Sequence, residues 1–218
     1  MAKKINSREK NLRMVQLSMI MAIMVVLQVA GAALVRVGIT VPALVLIPVF
    51  IGAAAFGKTG GAILGGFFGI ITVILGVTGF DAYTNGLFLL KPIETIVICM
   101  GKGILAGFLS ALVYELCMKA FKKNVIPSTI ISAAITPLVN TGLYILGVYL
   151  FFKEASGFEA SASFTTVIVA VFIAVVANFM IEVAINIVCC PVLVSDLAKN
   201  KQFGKLLKKY ALPFFQDL

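Results

Sequence analysis

Long apolar stretches separated by short polar turns fill most of the chain. Six can be drawn, over residues 14–35, 41–56, 60–78, 92–120, 128–152 and 165–194. Each approaches or exceeds the ~20 residues with which a helix crosses the hydrocarbon core of a bilayer. The second is the shortest. The runs are continuous rather than alternating, which favours helices over a barrel. The expected fold is all-α and integral to the membrane, a six-transmembrane-helix bundle over 14–194. A basic N-terminus, 1–13, precedes it and a basic amphipathic tail, 195–218, follows. In the tail Leu197, Phe203, Leu206, Leu207 and Tyr210 recur at roughly helical spacing. That reads as a segment lying on the inner membrane surface, with a docking site for a partner as the alternative. The first stretch contains the small-residue sequence VAGAAL, but its apolar core exceeds the ~7–15 residues of a signal peptide, so it counts as a span.

Composition agrees. Of 218 residues, 61% are hydrophobic and 12% charged, and the mean hydropathy is +1.10, too apolar for a water-soluble surface. Histidine is absent, which removes the commonest general base and a common zinc ligand. No catalytic residue, metal site or cofactor is expected. Cys99, Cys117, Cys189 and Cys190 lie in apolar runs without metal or disulfide spacing, and read as packing residues.

The net charge of +9 is unevenly spread. Fourteen of the 18 basic residues fall at the two ends or in the second and fourth connections, where Lys58, Lys119, Lys122 and Lys123 stand. The other connections hold Arg36, Lys91 and Lys153. An even number of spans puts both termini on one side, and the positive-inside rule makes that side cytoplasmic. Beside spans, basic clusters report topology, so no nucleic-acid partner is expected. The expected location is a cell membrane, crossed several times.

The stretch GAAAFGKT, Gly52–Thr59, fits the phosphate-loop pattern G-x-x-x-x-G-K-[ST]. Such a loop needs a strand before it and a helix after it, so that backbone N–H groups surround the phosphates. Here the preceding residues end a span and Gly57 to Gly60 make a tight turn, so the match is read as accidental. Gly61, Gly65 and Gly69 recur every fourth residue, and Gly103 and Gly107 repeat the spacing. Both read as smooth faces for close helix packing.

Polar groups at membrane depth need a partner or a purpose. Gln28, Lys102, Asn140 and Tyr144, Asn178 and Glu182 stand at similar depths on four spans, with Asn186 one turn beyond Glu182. They suggest a chamber in the middle to outer part of the bundle. Arg36, Tyr83, Asn85, Lys91 and Glu94 stand near its mouth, several of them around the loop TGFDAYTNG, Thr78–Gly86. Such a chamber suits a small solute with a carboxylate and hydroxyl or amide groups. The structural alternative pairs Lys102 with Glu182 and leaves the amides to bridge helices. Glu115, near an inner helix end, reads as interfacial.

The chain resembles the substrate-binding S components of energy-coupling factor (ECF) vitamin transporters. The resemblance rests on VPALVLIPVFIGAAAFGKTGGAILGGFFGIITVILG (41–76), PLVNTGLYILGVYLFF (137–152) and NFMIEVAINIVCCPVL (178–193), and it covers nearly the whole chain. It implies a non-enzymatic subunit that captures a small vitamin from outside, while a transmembrane coupling subunit and two ATPase subunits supply the work. It also implies a partner-contacting face at an Ala-x-x-x-Ala motif, matched here by Ser18 and Ala22. Families of this appearance carry pantothenate, folate or riboflavin. Without tryptophan, and with few aromatics expected at its depth, the chamber is poorly suited to a large flat ring, so pantothenate fits Arg36, Lys102 and the amides better. The alternative is an autonomous ion-coupled secondary transporter using Glu182 or Asp81. No repeat between the halves supports it.

Overall fold

The computed structural model describes the backbone of residues 7–36, 44–122, 124–152 and 164–199. It describes the side chains of these except 7–10, 35, 36, 82, 83, 164–178 and 198. The described residues form the helices α1 Ser7–Arg36, α2 Leu46–Val77, α3 Ala82–Leu90, α4 Pro92–Ala120, α5 Val125–Phe152 and α6 Phe164–Lys199, with no strand. Five stretches are long and apolar enough to cross a bilayer: Asn11–Leu34, Leu46–Val77, Pro92–Ala120, Val125–Phe152 and Phe179–Leu197. Large side chains such as Val26, Ile93, Leu150 and Val188 point outward from the bundle, as they must where lipid is the solvent.

The second of these stretches is a hairpin. Gly57 interrupts α2 with φ 69° and ψ −164°, a region essentially reserved for glycine. Residues 52 and 64 would stand ~18 Å apart along a straight helix. Yet a Cβ built on Gly52 falls 1.9 Å from Leu64 Cδ1, and one on Gly61 falls 3.0 Å from Ala53 Cβ. The chain therefore turns back at Gly57, and the arms 46–56 and 58–77 run antiparallel. The first arm rises only about 16 Å, half the hydrocarbon thickness.

α4 coincides with its expected stretch. Pro92 opens it, where a missing N–H costs nothing. Glu94 in its first turn and Lys119 in its last complement the helix dipole. The 78–86 segment differs from expectation, because a helix, α3, forms where a loop was read. The Asp81 carboxylate caps it, accepting from Thr84 N at 3.3 Å and from Thr84 Oγ1 at 2.7 Å. α6 continues through Lys199, so the first residues of the expected tail belong to this helix. Phe203, Leu206, Leu207 and Tyr210 lie outside the described residues.

α2 and α4 pack backbone to backbone. A Cβ on Gly65 would stand 1.9 Å from Gly103 O, one on Gly107 2.0 Å from Gly61 O, and one on Gly69 2.6 Å from Cys99 O. The two glycine series read from the sequence are thus one interface. α5 packs on α4, α6 lies mainly on α5, and α1 lies on α2. One core cluster joins Phe50, Ala54 and Phe56 near the hairpin turn to Tyr114, Met118, Ala133, Cys190 and Val194. Phe50 and Tyr114 meet edge to face at 6.0 Å. A second cluster joins Met24, Val45, Leu46 and Val49 to Leu64, Phe68, Ile71 and Leu75. The third, Ile98, Ile145, Val148 and Phe152, closes the opposite end of α4 and α5, with Leu87 of α3 laid against it.

Candidate functional site

Between its two closed ends, the α4–α5 seam holds polar groups. Near one end a Cβ on Gly147 would stand 2.6 Å from Ile98 Cγ1. Toward the hairpin-turn end, Ser110 Oγ and Thr136 Oγ1 share a buried hydrogen bond of 2.7 Å. The intervening turns carry Lys102 on α4 and Asn140 and Tyr144 on α5. Lys102 stands about 15 Å along α4 from Pro92. That depth demands compensation for its charge.

The compensation comes from two rings. The Lys102 ammonium lies 4.8 Å from the Tyr144 ring centroid and 5.7 Å from that of Phe68 on α2. Ring faces attract a cation, by ~2 kcal/mol or more when desolvated, yet they leave ammonium donors without an acceptor. Elsewhere Lys58 pairs with Glu115 at 3.1 Å and Lys199 with Asp196 at 2.7 Å. The structural alternative read from the sequence, Lys102 paired with Glu182, is not what the structure shows around Lys102, whose ammonium faces the two rings. α4 turns Lys102 toward α2 and α5, while α6 lies mainly beyond α5.

Asn140 is 7% exposed, and its Oδ1 accepts no hydrogen bond. A buried, unsatisfied carbonyl costs about 1–3 kcal/mol. Asn140 and Tyr144 share one face of α5, about 6 Å apart in rise. The antiparallel register that sets Ile98 against Gly147 and Ser110 against Thr136 brings the small residue Ala106 to the level of Asn140. Thus the site offers one cation and one open acceptor on neighbouring helices.

The other expected site residues are less concentrated. Gln28 is half-buried on α1, a helix that packs on α2. Glu182 is buried on α6, where its backbone carbonyl accepts from Asn186 Nδ2 at 2.8 Å. Asn186 Oδ1 in turn accepts from the Cys190 thiol at 3.6 Å, so this amide works within its own helix. Asn85 donates through Nδ2 to Gly76 O at 2.7 Å and ties α3 to α2. Lys91 Nζ donates to Phe151 O at 2.7 Å, bridging the start of α4 to the end of α5. Arg36 ends α1, Tyr83 lies in the first turn of α3 and Asn178 lies on α6; their side chains are outside the described residues. Ser18 and Ala22 are exposed on α1, and Ser18 Oγ donates to Met14 O at 2.9 Å.

Sequence reasoning missed Phe68 as a wall of the site and Leu87 as part of its cover. Phe68 sits in the run GGFFG, which was legible only as packing. Which phenylalanine faces Lys102 depends on the rotation of α2, and the glycine contact with α4 fixes that rotation. The phosphate-loop-like residues occupy the two arms and turn of α2, and the Lys58 ammonium is committed to Glu115. All four cysteines are free thiols, and no group of three or more metal-ligating side chains exists among the described residues.

Several apolar helices of membrane-crossing length define a multi-pass membrane protein. The family model for the substrate-specific component of ECF transporters matches residues 12–194, so the chain belongs to that family. Its members are substrate-binding transport subunits, not enzymes, and work in the membrane with coupling and ATPase modules. No curated protein matches the sequence.

Proposed function

We propose that the chain captures a small, water-soluble, carboxylate-bearing vitamin at the α4–α5 seam, and that pantothenate fits it better than folate or riboflavin. One observation carries the reading. The Lys102 ammonium is boxed by two rings without a carboxylate, about one helical turn from the open acceptor of Asn140. A ligand with an anionic group and a hydroxyl or amide N–H roughly 6 Å apart satisfies both. Tyr144 forms a wall of this site. Gln28, Arg36, Tyr83, Asn85, Asn178 and Glu182 are its proposed outer contacts. Ser18 and Ala22 are the proposed contact with the coupling subunit, and two ATPases supply the energy.

In this reading the two arms of α2 are separate crossings, giving six, with both termini in the cytoplasm of a prokaryotic cell. Arg13, Lys58, Lys119, Lys122 and Lys199 belong to the hairpin-turn end of the bundle, and Lys91 to the other. That asymmetry supports the orientation. The Gly52–Thr59 match takes no nucleotide, since helical arms flank it where a phosphate loop needs a strand and an open turn.

The test is calorimetry on the purified chain with pantothenate, folate and riboflavin, followed by vesicle uptake with and without the ATPase module. Submicromolar binding by the lone chain, with uptake only when the module is present, is the expected result. Proton- or sodium-driven uptake by the lone chain would replace this reading with an autonomous secondary transporter.

A further inference from the structure

At the hairpin-turn end of the bundle, α1 and α2 leave a cleft of about 210 Å³ lined by Arg13, Met14, Leu17, Phe56, Thr59 and Ile63, with Gly60 at its base. We propose that this cleft binds an anionic phospholipid, the phosphate at Arg13 and Thr59 and the start of one acyl chain over Met14, Leu17 and Ile63. The proposal depends on the chain's being embedded in a membrane and not on the vitamin site.

The lining divides by chemistry. Met14, Leu17, Phe56 and Ile63 supply hydrocarbon; Arg13 supplies one guanidinium, 5.9 Å from the Phe56 ring centroid, and Thr59 one hydroxyl. Arginine pairs with phosphate through a planar fork of donors. Lys58, beside Thr59, does not line the cleft and pairs with Glu115 at 3.1 Å; the cation among the residues that line it is Arg13. In the sequence, Arg8 and Lys10 precede it on α1, and cations of this kind attract anionic leaflets.

Size and surroundings favour a lipid over a soluble anion. Pockets that enclose a whole small molecule hold roughly 300–1,000 Å³, so the cleft takes one end of something longer. Met14 is 52% exposed and Ile63 45%, which continues the apolar surface out of the cleft for the rest of a chain to follow. A free phosphate or nucleotide would leave that hydrocarbon uncovered. The same chemistry gives Gly57-Lys58-Thr59-Gly60 a phosphate-facing role that needs no phosphate loop: the glycines turn the chain, and Thr59 lines the cleft.

The full chain is reconstituted in nanodiscs of phosphatidylcholine with and without phosphatidylglycerol. Lipid retained on extraction is read by native mass spectrometry, alongside the thermal midpoint. Expected are preferential retention of phosphatidylglycerol and a raised midpoint. Arg13→Gln should reduce the preference at least about fivefold, the worth of one basic residue at an anionic surface, and by more than Lys122→Gln, which lies at the same end of the bundle but outside the cleft; equal effects of the two overturn the proposal. Should Arg13→Gln fail to fold, the wild-type preference should still shrink as salt rises. Equal retention of the two lipids overturns the proposal, as does a preference insensitive to both Arg13→Gln and salt. Stabilisation of the detergent-solubilised chain by inorganic phosphate or ATP, abolished by Arg13→Gln, assigns the cleft to a soluble phosphate and also overturns it.

Discussion

Replacing Gly65 with alanine tests whether the α2–α4 interface is set by backbone contact. The new Cβ would stand 1.9 Å from Gly103 O, whereas real Cβ atoms keep at least 3.0 Å. The shortfall, 3.0 − 1.9 Å, is 1.1 Å. The obstacle is a carbonyl in a helix, which no rotamer change can move, so the helices themselves must part. Gly61 and Gly69 lie one turn to either side in the same contact, where an added Cβ would stand 2.3 Å and 2.6 Å from the α4 backbone, and parting loosens them too. A radial gap of ~0.5–1 Å already forfeits a quarter to a half of each dispersion contact. Overpacking of this kind costs about 1–3 kcal/mol, set against up to ~1 kcal/mol of helix propensity gained. At ~2–4 °C per kcal/mol for a chain of this length, the midpoint should fall by several degrees. The assay is loss of the monodisperse peak after heating in mild detergent. Gly101→Ala is the control, because nothing among the described residues lies within 4 Å of its added Cβ. If Gly65→Ala and Gly101→Ala melt alike, the backbone-contact account is wrong.

Asn140→Leu should separate stability from binding. It removes a buried acceptor that costs ~1–3 kcal/mol unsatisfied, so the ligand-free midpoint holds or rises, while vitamin affinity by calorimetry falls about 3–10-fold. Lys102→Met should weaken binding of a carboxylate ligand about 10–100-fold, the worth of a charge-assisted hydrogen bond, and a carboxamide analogue should bind wild type and variant alike. Gly57→Ala should destabilise by about 1–3 kcal/mol, since alanine is strained at φ 69° and ψ −164°; an unchanged midpoint would mean the turn can relax.

Where local chemistry decided the structure, the sequence was readable. Pro92 and the apolar run after it placed α4 to the residue, and the four-residue spacing of Gly61, Gly65 and Gly69 announced a close contact that Gly103 and Gly107 complete. Gly57 was rightly taken as a turn, though the first arm of the hairpin is too short for hydropathy to delimit. α3 escaped because Thr78, Gly79, Asn85 and Gly86 look like loop residues. The signal was present in Asp81, an N-cap, with Thr84 three residues on and Leu87 to Leu90 supplying an apolar face. The partner of Lys102 was not legible at all. Depth along a helix follows from counting residues, but facing depends on helix rotation, which here is set by the glycine contact between α2 and α4.

That contact also bears on how the site works. With Gly65 and Gly103 in backbone contact, α4 has almost no freedom to slide or rotate against α2, so Lys102 and Phe68 are held relative to each other. The α4–α5 seam is built differently, from side chains and a hydroxyl pair, and side chains can rearrange where backbones cannot. In the proposed reading, a ligand entering between Lys102 and Asn140 needs only α5 and its cover to adjust. Lys91, bonded to Phe151 O, and Leu87, packed on the Ile98, Ile145, Val148 and Phe152 cluster, tie that cover to both α4 and α5. One wall is fixed and carries the cation, while the opposing wall carries the open acceptor and can close on a ligand that satisfies it.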